Sequence, residues 1–200
     1  MKKSTKDGIT EITLTLSVIG VLTCACLLIA SDHEPTCAEY RCKKSRWNGN
    51  IYCIVSEELR GKNNLVFMGN LDYKYYADIN DDYVIPDVMV ACDRKHLKGG
   101  SYFGVPKFIA ETLSPATALR DKTVKKEIYQ NAGVAEYWII SPRERAVEIY
   151  YLEDGKYDLK YSYILQDDAE EAHYNADTKI VLKEFPHISM TLAEIFENVA

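Results

Sequence analysis

The chain lacks an excess of positive charge: over 200 residues the formal net charge is -6. Affinity for phosphate scales with the cations set against it, so a balance of this sign excludes indiscriminate nucleic-acid binding. Any grip on DNA needs a local basic patch or a bound cation. The sequence also lacks internal repeats and low-complexity tracts. His33, His96, His173 and His187 share no spacing that suggests a metal site or a triad. None of the six cysteines forms a pair with the two-residue gap of a zinc ribbon or finger, since the nearest pairs are Cys24-x-Cys26 and Cys37-x4-Cys42. The plain reading is small hydrophobic thiols in a reducing compartment. Disulfides among Cys37, Cys42, Cys53 and Cys92 become an option only if the chain is exported.

What is present suffices for one ordinary domain. Apolar residues make up 47% of the chain, which argues against disorder, and fifteen tyrosines with many short β-branched or aromatic runs favour a substantial sheet. The charge is uneven: seven Lys/Arg face five Asp/Glu through Arg46, and seventeen face twenty-five from Trp47 onward. Residues 1–46 read as an atypical N-terminal segment and residues 47–200 as the body. Between residues 12 and 31 no charge occurs. That run is marginal for a membrane span and long for a signal-peptide core. It also alternates as a half-buried strand would, with Ile12, Leu14, Leu16 and Val18 against Thr13, Thr15 and Ser17. Membrane anchor, uncleaved signal and buried segment all stay open. Basic residues flank the run on both sides, so they set no orientation.

Along the body, apolar spacing predicts a helix over 50–59 with Gly61 as its C-terminal cap. Strands follow over 65–76, with a bulge or turn at Gly69-Asn70, over 83–92, and over 107–113, with 98–101 as loop. A helix is expected over 117–132, closed by Gly133. A strand over 136–141, a hairpin around Asp154-Gly155, a short strand over 180–182 and a helix from Thr191 complete the order. The sum is a mixed-sheet α/β domain.

The strand VIPDVMVACD opens with Pro86-Asp87, and Glu111 interrupts the apolar run FIAETL in the next strand. A carboxylate inside an apolar strand is costly unless it is paired or holds a metal. If the two strands pair, both carboxylates converge at one end of the sheet, and hard oxygen ligands so placed suit Mg²⁺ or Mn²⁺. On the following helix, Asp121, Lys125 and Tyr129 are spaced to share a face. An ammonium at Lys125, aimed back at the carboxylates, could orient a water and balance charge on a phosphate. Blander readings compete. Taken singly, Asp87 is a strand-entry residue, Glu111 is half of an ion pair, and Lys125 and Lys126 are solvated helix residues.

Pro86-Asp87, Glu111 and a lysine together resemble the PD-(D/E)XK nuclease superfamily. The string E-T-L-S-P-A-T-x-x-R-D-x-x-x-K-x-x-x-Y-x-x-x-G-V-x-E-Y-W, residues 111–138, is more specific and resembles the Uma-type restriction-endonuclease family. That resemblance runs from about Asn48 to Ile195. It implies a restriction-endonuclease-like fold, an αβββαβ core plus an extra hairpin, and Mg²⁺- or Mn²⁺-dependent hydrolysis of DNA. Carried over by position, Asp87 and Glu111 are the metal ligands, and Lys125 is the third catalytic residue. Asp121 and Tyr129 support them from the helix. Phosphate contacts are expected from Arg94, Lys95 and Lys98 on one loop and Arg120, Lys122 and Lys126 on the helix. DNA is the implied partner, with a homodimer left open, and a cytoplasmic setting is expected for the nuclease-like body.

The chain departs from the family pattern at several points. Leu113 stands where the superfamily's usual lysine would be. Lys44 stands in the place of a histidine common before the first core helix, and Ser141 in the place of an Asp. The family's usual acidic N-terminal hairpin has no counterpart. A non-catalytic relative that binds nucleic acid or protein is therefore the second expectation, and a membrane-tethered scaffold the third.

Overall fold

The computed structural model describes residues 37–76, 81–166 and 174–196. The uncharged run 12–31 lies outside them, and with it the membrane and signal expectations. Among the described residues no helix is long and apolar enough to cross a membrane.

A long helix, α1 (Cys37–Glu58), opens the described chain, so it crosses the boundary anticipated after residue 46. The main sheet then assembles from β1 (Leu65–Met68), β3 (Val88–Ala91), β6 (Phe108–Thr112), β7 (Glu136–Ser141), β8 (Ala146–Glu153) and β9 (Lys156–Ile164), in that spatial order. Every neighbouring pair is antiparallel except β6 and β7. A parallel pair requires a crossover, and the helical segment between β6 and β7 supplies it. A smaller sheet sets β5 (Ser101–Tyr102) between β2 (Asp72–Tyr73) and β4 (Leu97–Lys98). β10 (Lys179–Val181) and β11 (Ser189–Thr191) pair as a hairpin ahead of α4 (Leu192–Phe196).

The central strands β3, β6 and β7 are buried along their whole length, which is why they read as unbroken apolar runs. Their alternate side chains feed two cores. Val88, Val90, Phe108, Ala110, Trp138 and Ile140 meet Ile51, Val55 and Leu59 of α1 and Leu192 and Ile195 of α4. Met89, Ile109, Tyr137 and Ile139 meet Tyr73, Tyr102, Tyr129 and Val134 on the other face. The tyrosine abundance thus serves packing, with hydroxyls finding partners at the rim of the core: Tyr137 donates to the Asp121 carbonyl oxygen at 3.0 Å and Tyr157 to the Val134 carbonyl oxygen at 2.9 Å. Trp138 is fully buried, and its indole N–H donates to Glu136 Oε1 at 2.8 Å. Truncating it to Ala would cost about 3–5 kcal/mol.

Several local expectations are corrected. The strand expected over 65–76 turns at Gly69, as anticipated there, with φ of +61°, but its halves join different sheets. The strand expected over 83–92 is regular only from Val88, and Val84 instead bridges Tyr73. The loop expected over 98–101 is the turn of the β4–β5 hairpin, where Gly99 and Gly100 take φ of +56° and +83°. The hairpin around Asp154-Gly155 and the strand over 136–141 form where expected.

Candidate active site

The register of β3 against β6 pairs Val88 with Ala110, and one further step sets Asp87 opposite Glu111. Residues directly opposite on antiparallel strands point the same way, so both carboxylates occupy one face at one end of the sheet. Asp87 is fixed there by its own Oδ2, which accepts the Thr112 backbone N–H at 2.8 Å. Glu111 is 0% exposed. Its Oε1 accepts from the Tyr129 hydroxyl at 2.6 Å and from Lys125 Nζ at 2.7 Å, while Oε2 is buried with no hydrogen-bond partner.

The crossover helix brings the other groups. It begins as α2 (Ala118–Arg120), widens into a π-helical stretch (Asp121–Lys125) and returns to α geometry in α3 (Lys126–Asn131). In an uninterrupted α-helix Asp121 and Tyr129 would sit roughly 80° apart around the axis. The slower winding of the π stretch reduces that offset and turns both toward the sheet, where both are buried. Thr123 Oγ1 donates to the Leu119 carbonyl oxygen at 2.6 Å, a back-bond that competes with the backbone ladder inside the widened turn. Gly133 ends the segment at φ +83°, with Val134 N–H donating to the Tyr129 carbonyl oxygen at 3.0 Å and Gly133 N–H to that of Gln130 at 3.1 Å. These two bonds form a Schellman cap.

Lys125 Nζ therefore stands among Glu111 Oε1, Asp121 Oδ1 at 3.3 Å and the Ile85 carbonyl oxygen at 3.5 Å. The Asp121 contact is close but poorly directed, and both Asp121 carboxylate oxygens are left without a hydrogen bond. A second lysine approaches from the opposite layer: Lys44, on α1, places Nζ 2.7 Å from Asp87 Oδ2. Three carboxylates, Asp87, Glu111 and Asp121, thus meet two ammonium groups.

That charge deficit shows in the proton affinities. Burial, the Asp87 charge and to a lesser degree Asp121 push Glu111 up to about 8, against the opposing pull of Lys125. Burial alone would lower Lys125, but Glu111 foremost, with Asp121 and Asp87, outweighs this and holds it above the usual lysine value. Tyr129 is raised well above an ordinary phenol by burial and by the same carboxylate, so it remains a hydrogen-bond donor.

An open cleft of about 400 Å³ lies against Lys125, lined also by Tyr83, Val84, Ile85 and Arg120. Of the helix cations expected to meet phosphate, Arg120 faces this cleft. Lys122 instead pairs with Glu148 at 3.0 Å, and Lys126 sits 3.7 Å from the centre of the Tyr150 ring. Lys95, with Arg94, follows the far end of β3 from Asp87, in a short turn whose carboxylate Asp93 caps the Lys95 N–H at 3.0 Å. The structure brings Asp87, Glu111, Asp121, Lys125 and Tyr129 together and leaves Lys95, Lys122 and Lys126 outside the group. Lys44 is the member that sequence reasoning did not place. Its one signal was the family resemblance, under which its place is that of a common histidine.

A family model described as "Putative restriction endonuclease", Uma2, matches residues 42–173. The chain belongs to the Uma2 family. The match begins within α1 and takes in β3, β6, the crossover helix and β7. A crystal structure of a nuclease of DUF820 from Anabaena variabilis, so described with the qualifier "putative", superposes with a TM-score of 0.59 at 15% identity, covering 79% of this chain and 82% of the other. At that identity the likeness establishes the fold, a nuclease-like mixed α/β architecture. An uncharacterized protein of Synechocystis is 29% identical over 104 residues, 52% of this chain and 55% of its own length. The chain thus spans about half of that curated relative.

Proposed function

We propose that this Uma2 member is a divalent-metal-dependent nuclease that hydrolyses phosphodiester bonds of DNA, with Asp87 and Glu111 as the ligands of Mg²⁺ or Mn²⁺. One observation carries the reading: Glu111 Oε2 is fully buried, lacks a partner and belongs to a carboxylate set directly across from Asp87. Leaving a buried acceptor unpaired costs about 1–3 kcal/mol, more for a charge, so such an atom calls for an occupant. Among the described residues no three His, Cys, Asp or Glu side chains converge closely enough to cage an ion unaided. This fits Mg²⁺, which binds through one or two carboxylates and fills its shell with water and substrate phosphate. When bound, the cation supplies Lewis acidity and neutralises charge on the phosphate.

The chain's own groups do the rest. Tyr129 and Lys125 clamp Glu111 Oε1, leaving Oε2 as the oxygen that faces a ligand. Glu111, with a smaller contribution from Asp121, keeps the Lys125 ammonium protonated. At the cleft, Lys125 orients a water and faces the charge that grows on the phosphate, and Arg120 receives a neighbouring phosphate. The direct test is nicking of supercoiled plasmid in MgCl₂ or MnCl₂. Wild type is expected to nick, and Glu111→Gln, Asp87→Asn and Lys125→Met each to lose at least about a hundredfold in rate. Equal nicking by wild type and Asp87→Asn would remove catalysis from this site. The Lys44–Asp87 ion pair favours a second reading, a non-cleaving family member whose clamp is filled by its own lysine. In that case DNA binding persists without metal-dependent nicking.

A further inference from the structure

Lys44 and Lys125 differ in a way that bears on how the site takes up its cation. Lys125 is held by three groups, Glu111, Asp121 and the Ile85 carbonyl oxygen. Lys44 has Asp87 as its one ion-pair partner among the described residues, and the two side chains are 19% and 16% exposed. The same oxygen, Asp87 Oδ2, already accepts the Thr112 N–H, so ammonium and amide together fill its two acceptor directions. A divalent ion that engages Oδ2 must remove Lys44. One that engages Oδ1 must share a single carboxylate with it, two positive charges a few ångströms apart.

We propose that Lys44 is a tethered counter-ion of the clamp, competing with the divalent cation for Asp87 and setting the concentration at which the site fills. This rests on the reading of Asp87 and Glu111 as cation ligands. The layer order explains the device. Asp87 lies opposite Glu111 on the face covered by the crossover helix, whereas Lys44 comes from α1, which packs on the other face. Lys44 reaches Asp87 only around the end of the sheet, where its flexible stem can swing into solvent or toward a phosphate without disturbing either core. In the metal-free protein it prevents three carboxylates from facing a single ammonium. Once the clamp is filled it is released toward solvent with its charge intact.

The test is a MnCl₂ titration of the full chain, read by calorimetry and by melting temperature, with no substrate present. Lys44→Met is expected to bind Mn²⁺ about tenfold more tightly than wild type while melting lower in EDTA, because Asp87 has lost its cation. Lys44→Arg is expected to behave like wild type. The opposite signs matter: a merely structural role would weaken metal binding and stability together. Should Lys44→Met fail to fold, Lys44→Gln, which retains a polar tip, carries the same expectation. Mn²⁺ binding that Glu111→Gln abolishes but Lys44→Met leaves unchanged or weakens overturns the competition and spares the clamp. Absence of any Glu111-dependent Mn²⁺ binding overturns both.

Discussion

A carboxylate sealed from water, with one oxygen paired twice and the other not at all, is expected to shape how this protein responds to pH. Glu111 has its proton affinity raised to about 8 in the folded chain, chiefly by burial and then by Asp87, against about 4.5 when unfolded. The folded state therefore binds more protons between those values, and the stability tied to the protonated form is complete below about 4.5 and lost as pH rises through about 8. In EDTA the melting temperature is expected to fall across this window, by an amount worth a few kcal/mol at most. Glu111→Gln, which cannot ionise, should flatten that fall and melt higher than wild type at pH 8. Thermal melts at half-unit pH steps decide it, and an unchanged slope in the variant would show that Glu111 ionises freely. Manganese should reverse the trend, because it favours the ionised carboxylate: the gain in melting temperature on adding MnCl₂ should grow from pH 6 to pH 8. Asp87, Glu111 and Lys125 were legible in the sequence because a charge inside an apolar strand is conspicuous and because the spaced string 111–138 names its partners. Lys44 was not legible. The chain from Cys37 to Gly49 is too polar for apolar periodicity to register as a helix, so nothing placed that lysine on α1 or carried it to the sheet end.

At the scale of elements, the crossover helix divides into a part that sequence foretells and a part that it does not. Its end was legible, since only a residue tolerant of positive φ serves there, and Gly133 takes φ +83°. Gly133→Ala should cost about 1–2 kcal/mol through backbone strain alone, because the added Cβ would find its nearest neighbour, Val105 Cγ1, at 3.9 Å, an ordinary contact. Urea unfolding should show that loss with an unaltered Mn²⁺ affinity, since the cap lies a full turn beyond Tyr129. A loss above about 3 kcal/mol would point to a clash that the geometry does not contain. The π stretch, by contrast, has no signature in spacing. It arises where the Thr123 back-bond loosens the ladder and where Asp121 and Tyr129 must both reach the sheet. The string 111–138 can now be read physically as well. The Ser114 carbonyl oxygen turns the chain into the helix by accepting the Thr117 and Ala118 N–H groups at 3.0 and 2.9 Å, and Glu136 receives Trp138 Nε1 on one oxygen and the Glu184 N–H on the other. The double glycine at 99–100 misled because the same residues that mark a loop also make a hairpin turn.

For the whole molecule the proposed substrate sets the constraint: an acidic chain would have to approach a polyanion. With a net charge of -6, and with Lys122 and Lys126 committed to Glu148 and Tyr150, few cations remain at the cleft. If Arg120, Lys125 and a released Lys44 are the groups that neutralise phosphate, about three counterions leave the duplex, and the logarithm of affinity should fall with the logarithm of salt at a slope near -3. Between 50 and 200 mM salt that is a loss of roughly fortyfold, modest beside proteins that engage six to ten phosphates. Fluorescence anisotropy of a labelled duplex with non-hydrolysable but still charged linkages, bound by the wild-type chain in MnCl₂, measures the slope directly. Arg120→Ala should reduce its magnitude by about one, whereas Lys95→Ala, on the far side of β3 from Asp87, should leave it unchanged. A slope near -8, or one that responds to Lys95 and ignores Arg120, would place DNA on another surface. The acidic body would then be repelling the duplex from the carboxylate end of the sheet rather than admitting it there through a narrow cationic mouth.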